Sequence, residues 1–177
     1  TKSTALLPLL ALKLASNDLG DPGLAALAAA IRTVVSEHES STVLDTLDLS
    51  SCDVGDSGIE ALALALEEEA IDENPAICHL ILCNNKISDR GALTLGRALQ
   101  TSKGLHLDLS SNQIGDRGVA SIAAALERGR IRLVKLRSCL IQADGAELIG
   151  SALRKLCLNC TEAHPESVCV DLSGNPL

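Results

Sequence analysis

The chain has 177 residues, a net charge of −8 and 46% hydrophobic residues, yet contains no Phe, Trp, Tyr or Met. Its core must therefore be built from Leu, Ile, Val and Ala. An acidic chain without base-stacking aromatics is a poor nucleic-acid binder, and no run reaches the roughly 18 apolar residues of a membrane span.

Charge is distributed unevenly: residues 1–102 carry 15 acidic and 6 basic side chains, residues 103–177 carry 8 and 9. Without aromatic hot-spot anchors, any interface is expected to rely on polar and charged contacts.

In chain order, the first unit starts near Leu9 with Leu12, Leu14, Asn17 and Leu19 in alternation. The apolar opening from Ala5 to Leu12 runs into this register, so it is read as structure and not as a leader. Asp21-Pro22-Gly23 signals a helix start, with Asp as the cap and Pro where no intrahelical N–H is needed. The second unit carries Leu44, Leu47, Leu49 and Val54. Its helix runs from Asp56 to Glu67-Glu-Glu69, three carboxylates that oppose the helix dipole. They are expected on an exposed convex ridge, with an acidic docking patch as the alternative. The third unit (Ile77, Leu80, Leu82, Asn85, Ile87, helix from Asp89) follows an insertion that closes at Pro75.

The fourth unit is the clearest. Leu107, Leu109 and Ile114 alternate as one face of a strand and turn. From Asp116 the apolar period becomes helical, and Asp116 is assigned as the N-cap. The fifth unit (Val134, Leu136, Cys139, Ile141) shifts its Asp one place, to Asp144. A sixth begins at Val170 and stops at Asn175-Pro-Leu177.

One frame, L-x-L-x-x-N-x-L-x-D-x-G-x-x-x-L-x-x-x-L, thus recurs from Leu12, Leu47, Leu80, Leu107 and Val134 and restarts at Val170, at spacings of 35, 33, 27, 27 and 36. A strand–turn–helix unit of this size cannot cover its own apolar faces and needs copies on either side. The frame resembles the leucine-rich repeat family, in the long-repeat, ribonuclease-inhibitor-like type also found in Ran GTPase-activating protein and NOD-like receptors. The resemblance implies an α/β leucine-rich-repeat solenoid, a horseshoe with a parallel sheet on the concave face and helices on the convex face. Residues 1–177 are expected to form a single domain of about five and a half repeats. They read as part of a longer protein whose neighbouring repeats or subunits cover the ends.

Two further columns are as regular as the leucines. Gly23, Gly58, Gly91, Gly118 and Gly145 fall just inside the helices, and Ala30, Ala65, Ala98, Ala125 and Ala152 near their ends. Both are read as close-approach positions of helix on strand and helix on helix.

Seven cysteines leave an odd number. Cys52 and Cys139 occupy the buried Asn position, which free thiols can fill, pointing to the cytoplasm or another reducing intracellular compartment. Cys157, Cys160, His164 and Cys169 approach a zinc-knuckle spacing, but the Cys160–His164 gap is one residue short and the knuckle's glycines and aromatics are missing. Cys157 also continues the helix stripe of Ile149 and Leu153 and is assigned to the core. No metal or cofactor is expected.

The four histidines lie in no catalytic motif, and no G-x-S-x-G, phosphate-loop or H-E-x-x-H pattern occurs. No position matches a functional arginine of the Ran GTPase-activating type. The basic cluster Arg128, Arg130, Arg132, Lys135 and Arg137 is read as a rim or protein contact and not as a phosphate site.

The candidate site is the concave sheet face. Strand residues alternate, giving the columns Ala11, Thr46, His79, His106, Leu133, Cys169, then Lys13, Asp48, Ile81, Asp108, Lys135, Asp171, then Ala15, Ser50, Cys83, Ser110, Arg137, Ser173. Lys13, Asp48, His79, Ile81, His106, Asp108, Lys135, Arg137 and Asp171 are the expected partner-binding residues. Lys135 should lie between Asp108 and Asp171. The expected function is a non-enzymatic scaffold that binds a protein partner through this face and its loops. The alternative is a permanent structural subunit of a large intracellular assembly.

Overall fold

Alternating Leu and Ile positions give each unit a short strand, and a helix follows to cover it. The computed structural model describes residues 10–37, 44–68, 77–100, 104–159 and 167–177. Six strands form one parallel sheet in chain order: β1 (Ala11–Lys13), β2 (Thr46–Asp48), β3 (His79–Ile81), β4 (Leu105–Asp108), β5 (Ile131–Lys135) and β6 (Cys169–Asp171). Between them run α1 (Gly20–Glu37), α2 (Asp56–Glu68), α3 (Asp89–Ala98), α4 (Asp116–Glu127) and α5 (Ala143–Asn159). Each helix packs on its neighbours in sequence, as a parallel sheet with crossover helices requires.

The frame leucines fall in strict register: Leu12, Leu47, Leu80, Leu107, Val134 and Val170 pair from strand to strand. Leu47, Leu80, Leu107 and Val134 are fully buried, and with Leu49, Leu82, Leu109 and Leu136 they form a continuous column against the helices. Leu12 and Val170, in the outermost strands, are only partly buried.

Beyond the strands the ladder continues through backbone bonds, Ser51 N–H to Cys83 O, Asn84 to Ser110, Ser111 to Arg137 and Ser138 to Ser173. The donors share one backbone state. Ser16, Ser51, Asn84, Ser111 and Ser138 all have φ between 51° and 60°, and Gly174 has 75°. This left-handed step costs an L-residue on the order of 1 kcal/mol, and it recurs because it turns each strand end into the buried Asn position.

That Asn holds adjacent units together. Asn85 Oδ1 accepts from the N–H groups of Cys52 and Val54 at 3.1 and 3.0 Å, while its amide donates to Leu49 O and Leu82 O at 2.8 and 3.0 Å. Asn112 binds Ile87 N–H and the carbonyls of Leu82 and Leu109 in the same way, and Asn175 repeats this on Ile141 and Leu136. As expected, Cys52 and Cys139 occupy the equivalent sites as buried free thiols. Each donates to a carbonyl of the preceding unit, Cys52 to Leu14 at 3.0 Å and Cys139 to Leu109 at 3.5 Å.

The Asp column works differently from the expectation. Asp116 is the first residue of α4, and its N-cap is Gly115, which makes no side-chain cap bond; Ser88 caps α3. Asp21 likewise lies inside α1, which starts at Gly20. These carboxylates serve the next unit. Asp21 Oδ1 accepts from Gly55 N–H at 2.6 Å, Asp56 from Ser88 and Gly91, Asp89 from Gly115 and Gly118, and Asp116 from Gln142. A carboxylate one residue into the helix reaches sideways to the neighbouring helix start, where backbone N–H groups lack intrahelical partners.

This contact also explains the glycines. A Cβ at Gly118 would stand 2.7 Å from Asp89 Oδ1 and 2.8 Å from its Cα, and at Gly145 it would stand 2.4 Å from Asp116 Oδ1. At Gly58, Gly91, Gly118 and Gly145 the close approach is thus to the preceding unit's Asp, whereas at Gly23 it is to Leu19. Among the alanines, Ala65, Ala98, Ala125 and Ala152 are buried, but Ala30 is exposed. Cys157 is exposed too, against its assignment to the core. Ile149 is buried and Leu153 partly so, but by Cys157 the helix has passed the apolar layer. Cys160 and His164 lie outside the described residues, as do His38 and Glu69. Among the described residues no group of three metal-ligating side chains is clustered, and no helix is long and apolar enough to cross a membrane.

Candidate functional site: the open face of the sheet

Helices cover one face of the sheet; the other is open and concave. Its columns follow the alternation of the strands. Ala11, Thr46, His79, His106, Leu133 and Cys169 pair in register, as do Lys13, Asp48, Ile81, Asp108, Lys135 and Asp171. Lys13 and Arg137 are exposed; Asp48, His79, Ile81, His106, Asp108, Lys135 and Asp171 are half-buried. All nine candidate residues therefore share one surface.

Lys135 does lie between Asp108 and Asp171 in register, but the charges pair more selectively. Lys135 Nζ is 3.5 Å from Asp108 Oδ2, while Arg137 Nε is 3.6 Å from Asp171 Oδ2. Both are exposed enough for solvent to screen them, so each contributes about 0–1 kcal/mol.

An organising feature went unread in the sequence. Each open-face carboxylate is held by the serine two residues on. Asp48 Oδ1 accepts from Ser50 N–H at 3.0 Å and from its hydroxyl, Asp108 Oδ1 from Ser110 N–H, and Asp171 Oδ1 from Ser173 N–H and hydroxyl. The recurring Asp-Leu-Ser in units two, four and six was the available signal. One oxygen is thereby fixed, and Oδ2 takes no part in these serine bonds. The serine bonds, foremost the hydroxyl, hold the Asp171 carboxyl below the usual Asp range.

At the centre, His79 and His106 meet edge to face, with ring centroids 4.5 Å apart at 86°. Burial pushes His106 below the ordinary His pKa; the neighbouring His79 and the Arg132 charge act the same way, and Asp45 opposes them. Asp45 also bonds Cys78, whose thiol is raised mainly by burial and then by that carboxylate. Asp45, Cys78 and Arg132 thus belong to the electrostatic surroundings of this face, although alternation alone did not assign them to it.

The basic cluster expected around unit five does not stay together. Lys135 and Arg137 project from the open face, whereas Arg128 and Arg130 line an open depression of ≈ 440 Å³ with Glu127, Leu156 and Asn159. Of the acidic ridge, Glu67 is exposed.

The comparisons agree with this architecture. The family model described as Leucine Rich repeat matches residues 7–28, 40–63 and 105–123. No curated protein matches the chain. Three matched segments support a leucine-rich-repeat protein, and the repeating strand–helix units with their single six-stranded parallel sheet are consistent with a leucine-rich-repeat solenoid.

Proposed function

We propose that this solenoid is a non-enzymatic scaffold that recognises a protein partner through its open, concave face and adjoining loops. Leucine-rich repeats generally mediate protein–protein interaction. One observation carries the assignment to this face: its carboxylates are pre-set by Asp–Ser bonds on rigid strands. Pre-organised polar groups bind without a further ordering penalty. The 27-residue spacings, each with a full helix, favour the ribonuclease-inhibitor-like type. Buried thiols at Cys52 and Cys139, each serving as a donor, favour a reducing intracellular compartment.

The test uses a partner captured by affinity purification and identified by mass spectrometry. Lys135→Glu sets three carboxylates side by side on the face, and it should weaken that partner at least tenfold without changing the melting temperature. Glu67→Lys on the helix side should leave binding intact. The opposite pattern assigns the partner to the helices and overturns the proposal.

A further inference from the structure

The three Asp-Leu-Ser units present the same carboxylate, but only two of them are neutralised. Asp108 and Asp171 each face a basic side chain within 3.6 Å. Among the described residues, no cation pairs with Asp48. Lys13, its register neighbour on β1, is exposed and forms no ion pair among the described residues. On the other side Asp48 adjoins Ile81, the single apolar residue in a column otherwise made of charges. Ile81 is half-buried, and the His79–His106 pair lies in the next column on the same strands.

We infer that the β2–β4 part of this face receives a basic side chain from the bound protein, with Asp48 taking its charge and Ile81 and the imidazole pair taking its stem. This rests on the concave-face reading above and names the chemistry of its partner. A half-buried carboxylate beside apolar surface suits the amphipathic build of Arg and Lys, whose methylenes pack while the head stays polar. Arginine fits best, because its flat guanidinium stacks on ring faces and forks onto a carboxylate. Asp48 Oδ1 is occupied by Ser50, which leaves Oδ2 as the acceptor. Charge steers in the same direction, since residues 1–102 carry 15 acidic and 6 basic side chains. Arg132 stands near His106, but Asp45 opposes it.

The experiment selects peptides from a random linear library displayed on phage, using the immobilised protein, and titrates the winners by fluorescence anisotropy. Arg or Lys should dominate one position, and Asp48→Asn should weaken these peptides about tenfold or more. Asp48→Asn keeps an acceptor for Ser50, and an unchanged melting temperature verifies the fold. Glu60→Gln, on the helix side, should change nothing. Peptides without a basic preference that ignore Asp48→Asn but fail on Lys135→Glu overturn this inference and leave the concave-face reading standing. Peptides indifferent to both open-face substitutions overturn both. Basic peptides insensitive to Asp48→Asn reveal general charge attraction, and that outcome or an absence of any enrichment also rejects the Asp48 site.

Discussion

Asn85 and Cys139 occupy the same place in two different units, and the structure gives them different amounts to do. Asn85 joins two units through both ends of its amide, accepting from Cys52 and Val54 and donating to Leu49 and Leu82. Cys139 donates to Leu109 O at 3.5 Å and to Arg137 O at 3.7 Å. Backbone N–H groups of Asn112, Ser111 and Ile114 surround its sulfur, but burial outweighs them and holds the thiol up in its neutral form. The backbone is the same in both units. What the position requires is a small side chain that donates inward, and the acceptor is what distinguishes a strong joint from a weak one.

Removing the stronger joint should have the largest effect. Asn85→Ala leaves the N–H groups of Cys52 and Val54 and the Leu49 carbonyl without their partner, while Leu82 O keeps its bond from Asn112; each lost partner is worth about 1 kcal/mol or more. We expect a loss of about 3–4 kcal/mol in denaturant unfolding, against about 1–2 kcal/mol for Cys139→Ala, where weak sulfur bonds and a small volume are lost. Equal losses would mean that the amide's acceptor contributes nothing.

The second prediction addresses the other joint, Asp to Gly. In Gly118→Ala the new methyl would lie 2.7 Å from Asp89 Oδ1 and 2.8 Å from Asp89 Cα, and the backbone atom cannot swing aside. A loss of about 1–3 kcal/mol is expected from overpacking. Gly150→Ala, in α5 with nothing within 4 Å, should instead stabilise by up to about 1 kcal/mol, the propensity gain of Ala over Gly in a helix. If both substitutions move stability in one direction, the Asp89 contact is not what demands glycine.

Such contacts mark how far the sequence could be read. Six strands, their order and their register followed from the leucine frame, because a period of two leaves each apolar column only one face to bury. The open-face columns followed from the same alternation, so His79, Asp108 and Lys135 were placed correctly. Interactions between units were less legible. Asp116 has the chemistry of an N-cap, and spacing within its own helix cannot reveal that its carboxylate turns to Gln142 some 26 residues on. The exposure of Cys157 was hidden for a similar reason, since a helical stripe gives direction but not where the apolar layer ends. On the open face, register located Lys135 between two carboxylates but could not choose Asp108 over Asp171.

Cys139→Asn is the substitution that sharpens the comparison. It restores an acceptor beside the Ile114 N–H, which in the equivalent position of unit three, Ile87, is bonded to Asn112 Oδ1 at 3.0 Å. A gain of about 0.5–1.5 kcal/mol is expected, the net value of one hydrogen bond. Thiol labelling gives an independent check. Cys157 and Cys169, both exposed, should react promptly with a disulfide reagent in the native protein, whereas Cys52 and Cys139 should react only on unfolding. Prompt labelling of Cys139 would show that this joint opens without unfolding.

The smallest expected effect lies on the open face and is read from pH. His106 sits below the ordinary His pKa of 6.5 because burial, and then the His79 ring and the Arg132 charge, disfavour its cation. The unfolded chain therefore binds its proton first, and stability rises with pH where the unfolded state holds more protons. The contribution is fully present above about pH 6.5 and is lost as pH falls toward the folded pKa. Proton NMR of the imidazole Hε1 should show His106 titrating below pH 6.5. In His79→Gln its midpoint should move up but not return fully, since burial is the larger cause and remains. The same substitution should flatten the stability slope below pH 6.5, with little change above it. Superimposable titration curves for wild type and His79→Gln would show that the two rings do not sense each other's charge.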